Sequence, residues 1–119
     1  MPEIRSEIEA VVRELVRHLD IHGIRAERVY LFGSHLKGKA DEWSDVDLLV
    51  VSKDFAHLDY WDLIAVLGES ERQTLQATGK IVETHAKTPI EIATCHPASF
   101  LADILKEAIV VYERPFARV

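Results

Sequence analysis

Asp45 and Asp47 stand one residue apart, directly before the apolar run Leu48 to Val51. Gly33-Ser34 closes the preceding apolar run, Val29 to Phe32. Residues i and i+2 of a strand share a face, so the two aspartates point the same way, a few ångströms apart. Two anions that close repel unless a positive charge lies between them. A divalent metal held by carboxylate oxygens is the usual answer. Glycine lets a backbone approach a ligand closely, and N–H groups at a helix start favour phosphate. The Ser34 hydroxyl adds a donor. A phosphate site beside a metal site is what nucleotide chemistry requires.

Taken singly, an Asp-x-Asp is commonly a solvated strand start and a Gly-Ser is commonly a turn. Their fixed spacing on consecutive strands is the informative feature. The stretch GSHLKGKADEWSDVDLLVV resembles the signature of the DNA polymerase beta-type nucleotidyltransferase superfamily: Gly-Ser, ten residues, Asp-x-Asp. Gly33, Ser34, Asp45 and Asp47 match it, and Gly38 and Ser44 resemble its flanks. In length the chain is most similar to minimal nucleotidyltransferases, often the antitoxin half of HEPN/MNT pairs. The resemblance is specific over residues 28–52 and weaker over 88–113; residues 53–87 carry no recognised motif.

The resemblance implies roles. Gly33 and Ser34 would hold the β- and γ-phosphates of ATP or another nucleoside triphosphate. Asp45 and Asp47 would bridge two Mg²⁺ ions. A third carboxylate, on a later strand, would bind the ion that activates the acceptor hydroxyl. The matching position is Glu91, in PIEIA, where many relatives carry Asp; an outward-facing edge residue is the competing reading. Glu83 is a weaker substitute because it falls outside the strand pattern. Lys37, where relatives often have Arg, and Lys39 are either triphosphate contacts or solvated charges. His35 follows the Gly-Ser turn. Trp43 either stacks on a base or anchors its loop. Tyr60 and Trp61 are either core residues or part of a partner surface.

The elements that must position these residues are legible in outline. Residues 3–20 carry Ile4, Ile8, Val11, Val12, Leu15, Val16 and Leu19 at helical spacing, with Gly23 as a stop. RVYLF (28–32) and DVDLLVVS (45–52) read as strands, the second covered on both faces. SHLKGKA suggests one or two helical turns. Residues 58–86 read as a helix interrupted by Gly68 and Gly79, although VETH could be extended. TPIEIAT (88–94) alternates apolar and polar residues and predicts a third strand. A helix with Pro97 near its first turn and a closing strand, IVVYE (109–113), complete an α/β or α+β domain around a small mixed sheet flanked by helices. Residues 1–119 suit a single domain.

With 20 acidic and 14 basic residues the net charge is −6, which argues against binding long nucleic acids. The lone Cys95 permits no internal disulfide, and the six histidines lack zinc spacing. No apolar run reaches the length of a membrane span. The charged amino-terminal stretch is unlike a signal peptide, so a cytoplasmic, reducing compartment is expected.

The resulting expectation is Mg²⁺-dependent transfer of a nucleoside monophosphate, AMP from ATP in the first instance. By resemblance its acceptor is a hydroxyl on a partner protein such as a HEPN toxin, and homo-oligomers remain open. The alternatives are a non-catalytic module that binds nucleotide and partner, or transfer to a small molecule or RNA.

Overall fold

The computed structural model describes residues 6–38, 40 and 45–115. Lys39, Trp43, Ser44 and the start of the first predicted helix lie outside these residues. Helix α1 (Ser6–Ile21) forms on the expected stripe: Ile8, Val11, Val12, Leu15, Val16 and Leu19 are each no more than 8 % exposed.

Strands β1 (Arg28–Phe32) and β2 (Val46–Val51) pair antiparallel, with Phe32 opposite Asp47. A 3₁₀ turn (Lys53–His57) and helix α2 (Tyr60–Thr78) then cross over to β3 (Val82–Lys87), which runs parallel to β2. A parallel pair needs such a crossover. Helices α3 (Pro89–Thr94) and α4 (Phe100–Glu107) lead to β4 (Ile109–Glu113), antiparallel to β1. The sheet is mixed, in the order β3-β2-β1-β4.

Strand alternation divides the molecule. Val29 and Leu31 of β1, Val46, Leu48 and Val50 of β2 and Val82 of β3 join the α1 stripe, Phe55 and Leu67 in the main core. Phe32, Leu49 and Val51 point the other way and meet Ile104 of α4, with Tyr30, Ile92 and Leu101 packed around them. This double coverage explains the unbroken apolar run of β2.

Three sequence expectations need correction. Residues 88–94 are not a strand: Thr88 caps α3 by accepting from the Glu91 N–H, Glu91 reaches back to the Thr88 N–H, and Pro89 opens the first turn. That capping box and the missing proline donor favour a helix start over the alternation of Ile90 and Ile92. The third strand is instead VETHAK, residues 82–87. The helix over 60–78 is continuous through Gly68 and ends at Gly79, whose φ of 75° supports a left-handed cap. An interior glycine costs such a helix about 1 kcal/mol relative to alanine. The residues after Ser34 form hydrogen-bonded turns rather than a helix, with the Leu36 and Lys37 N–H groups both donating to the Gly33 carbonyl.

Candidate active site

Because Phe32 lies opposite Asp47, the chain leaving β1 turns directly beside that carboxylate. Gly33 makes the turn at φ 80°, a left-handed conformation, and a Cβ there would collide with the Asp47 side chain. Both facts favour glycine. Ser34 follows, partly exposed, within the turn.

Asp47 is half-buried on β2, and Asp45 is exposed just before that strand. Val46 and Leu48 face the main core, so Asp47 faces the α3/α4 side. In the parallel register Asp47 pairs with Glu83 of β3. Glu83 alternates with core-facing Val82 and so shares the face of Asp47. Burial, then the charge of Glu83 and a hydrogen bond between the two carboxyl groups, push Asp47 above the usual carboxylate range. Asp45 adds to this rise, and His85 opposes it. His85 stands two residues along β3, with Nε2 3.7 Å from Glu83 Oε1. Its ring packs on Phe32, centroids 5.3 Å apart, and lies 6.1 Å from that of Phe100.

The structure therefore brings together Gly33, Asp47 and Glu83, with Ser34 and Asp45 adjoining them in the chain. It does not bring Glu91 there. Glu91 follows Lys87, which pairs with Val51, four residues along β2 from Asp47 and so about 13 Å up the sheet. Its Oε1 accepts the Thr88 N–H at 2.9 Å, and Lys87 Nζ lies 3.9 Å from its Oε2. These are the contacts of a capping residue. Glu83 is the carboxylate that strand assignment had set aside. The alternation of Val82, Thr84 and Ala86 with Glu83, His85 and Lys87 was the available signal, and placing the strand six residues late hid it. Lys37 reaches Glu107, at the end of α4, with Nζ 3.1 Å from Oε2.

The donors suit a divalent cation. They are all oxygens, and as anions they repel one another until a positive charge joins them. Among the described residues no three Asp, Glu, His or Cys side chains form a metal cage by themselves. Mg²⁺ is ordinarily held by one or two carboxylates and completed by water and substrate phosphates, so an ion arriving with a triphosphate fits this set.

The family model for the nucleotidyltransferase domain matches residues 5–115. The chain belongs to that nucleotidyltransferase family. Solved structures share the polymerase beta-like fold at low identity. One, from Sulfolobus solfataricus and assigned provisionally as a nucleotidyltransferase, is 22 % identical with TM-score 0.56, over 96 % of this chain and 93 % of that one. A toxin–antitoxin structure with AMP-PNP is 19 % identical with TM-score 0.59, over 89 % of this chain and 73 % of that one. A mutant of the MntA-HpeT toxin–antitoxin is 17 % identical with TM-score 0.57 and the same coverage. Comparison with curated proteins gives no significant match. Among the described residues of this nucleotidyltransferase, no helix is long and apolar enough to cross a membrane.

Proposed function

We propose that this nucleotidyltransferase is Mg²⁺-dependent and transfers AMP from ATP to a hydroxyl group of a partner protein, of the HEPN toxin type. The observation that carries the reading is the meeting of Asp47 and Glu83, side by side on parallel strands, with the Gly33 turn against them. The toxin–antitoxin neighbours, one of them with AMP-PNP, support the nucleotide and the protein partner.

In this reading the Gly33-Ser34 turn binds the β- and γ-phosphates through backbone N–H groups and the Ser34 hydroxyl. Lys37 adds a point charge once it leaves Glu107. Asp45, Asp47 and Glu83 would hold two Mg²⁺ ions, which would supply charge neutralisation for the entering and leaving oxygens. The acceptor oxygen bonds to the α-phosphorus, the bond from that phosphorus to the bridging oxygen breaks, and pyrophosphate leaves with that electron pair. Glu83, exposed at the sheet margin, takes the acceptor's proton. The remaining contribution is alignment of the two substrates.

An imperfect third carboxylate would favour a module without catalysis; the pairing of Glu83 with Asp47 supports the catalytic reading instead. The net charge of −6 disfavours RNA as acceptor. The test is titration calorimetry of ATP with and without Mg²⁺, followed by labelled-ATP transfer to the partner. Mg²⁺-dependent binding and labelling, both lost in Asp45→Asn/Asp47→Asn, are expected. Partner neutralisation that survives Asp45→Ala would defeat the catalytic reading. Labelled antibiotic or tRNA with no labelled protein would redirect it to another acceptor.

A further inference from the structure

Helix α4 begins with an aromatic ring that its own core does not cover. Phe100 is 67 % exposed, although Ile104, one turn further on the same side of the helix, is only 4 % exposed and packs with Phe32 and Leu49. The start of α4 reaches β3, an edge strand of the sheet, and there the Phe100 ring meets His85, centroids 6.1 Å apart and planes at 60°. His85 is held in turn. Its ring packs edge-on to Phe32, centroids 5.3 Å apart, and its Nε2 lies 3.7 Å from Glu83 Oε1. Phe32, His85 and Phe100 thus form an aromatic ladder. It starts at Phe32, opposite Asp47 in the register, and ends in an open ring. A single exposed phenylalanine is ordinary. This one is distinguished by its place, one side chain away from the paired carboxylates.

The occupant follows from the nucleotide, and so rests on the roles proposed above for Gly33, Ser34, Asp47 and Glu83. Gly33 follows β1, and β3 lies on the other side of β2. Phosphates bound at the Gly33-Ser34 turn lie on the β1 side of Asp47, so the nucleoside extends to its β3 side. Glu83, at the margin of the sheet, faces the acceptor there, which leaves the direction along β3 for the nucleoside. His85 stands two residues on from Glu83, about 7 Å along the strand. Only a ribose separates the α-phosphate from the base, so the base arrives at the height of His85 and Phe100. An exposed aromatic face is a stacking surface for any base.

We propose that Phe100, braced by His85, is the platform on which the base of the incoming nucleotide stacks. Stacking reads the ring of a base and not its edge groups. Purines therefore bind better than pyrimidines, and this contact does not distinguish ATP from GTP.

Titration calorimetry in Mg²⁺ tests this by comparing ATP with inorganic tripolyphosphate, which carries the phosphates and no base. Wild type should bind ATP about tenfold or more tightly than tripolyphosphate. Phe100→Ala should weaken ATP binding about tenfold and leave tripolyphosphate within about twofold. Phe100→Trp should restore ATP binding, and wild type should bind UTP more weakly than ATP. Because the ring is exposed, each variant should keep the wild-type circular dichroism spectrum. ATP held by Phe100→Ala as tightly as by wild type overturns the inference, and impaired labelling of a partner in that case would set the ring against the acceptor. A loss of tripolyphosphate in step with ATP also overturns it, by making the ring a support of the phosphate site. Wild type that binds tripolyphosphate but gains nothing from the base overturns the platform alone. Wild type that binds neither probe overturns the phosphate and metal site with it.

Discussion

The two faces of the sheet are built to different standards. The face under α1 and α2 is closed by apolar side chains from Ile8 to Val82, and its strand residues there are aliphatic. The face under α3 and α4 is covered by helices of six and eight residues, buries only Phe32, Leu49, Val51 and Ile104 among the described residues, and carries Asp47 and Glu83 at one end. Alternation within single strands makes the division: Val46 and Leu48 hold the domain together, and Asp47 between them faces the site. Rigidity on one side lets the other tolerate repelling anions, because the strands that carry the anions are fixed from behind.

The sharpest way to break this contrast is at the anions. Asp45→Asn or Asp47→Asn should lower nucleotidyl transfer by about 10³-fold or more, some 4 kcal/mol in the barrier, in a labelled-ATP assay. Glu83→Gln should cost about 10²-fold or more, whereas Glu91→Gln should leave transfer within about twofold and stability nearly unchanged, because glutamine also closes a capping box. The opposite result for this pair would return the third carboxylate to Glu91.

Stability should divide the other way. Leu15→Ala, in the closed face, should cost about 2–5 kcal/mol in urea unfolding. Leu101→Ala, only partly buried on the thin face, should cost about 1 kcal/mol.

The smallest effect concerns Asp47 itself. Its carboxyl is held above its unfolded value, so between the two values the folded state binds the proton more tightly and stability falls as pH rises through that interval. Metal-free Asp47→Asn should therefore melt above wild type at pH 7, and the gap should close below about pH 4. Mg²⁺ with ATP should reverse the order, because only the wild type gains stability from ligand.

The sequence made the better-packed half easier to read. The α1 stripe and the LLVV run announce burial, and Gly33, Ser34, Asp45 and Asp47 lie close together in the chain at recognisable spacing. Glu83 was hard to place because its position beside Asp47 depends on a parallel register formed across a helix; the alternation of VETHAK marks a strand but not its partner. PIEIA alternates like a strand, while the Thr88 cap and Pro89 make it a helix start, which sets Glu91 apart from Asp47. His85 lacked a motif; only the register places it beside Glu83 and against Phe32.

The seat of Gly33 against Asp47 has a practical consequence. A methyl group added at Gly33 removes no charge or hydroxyl from the site, yet it forces the Asp47 carboxylate to shift. Gly33→Ala is therefore expected to lower activity while leaving the chemical inventory intact. It offers a reference protein with wild-type net charge, against which the long-range repulsion between the acidic protein and an anionic nucleotide can be measured apart from final seating.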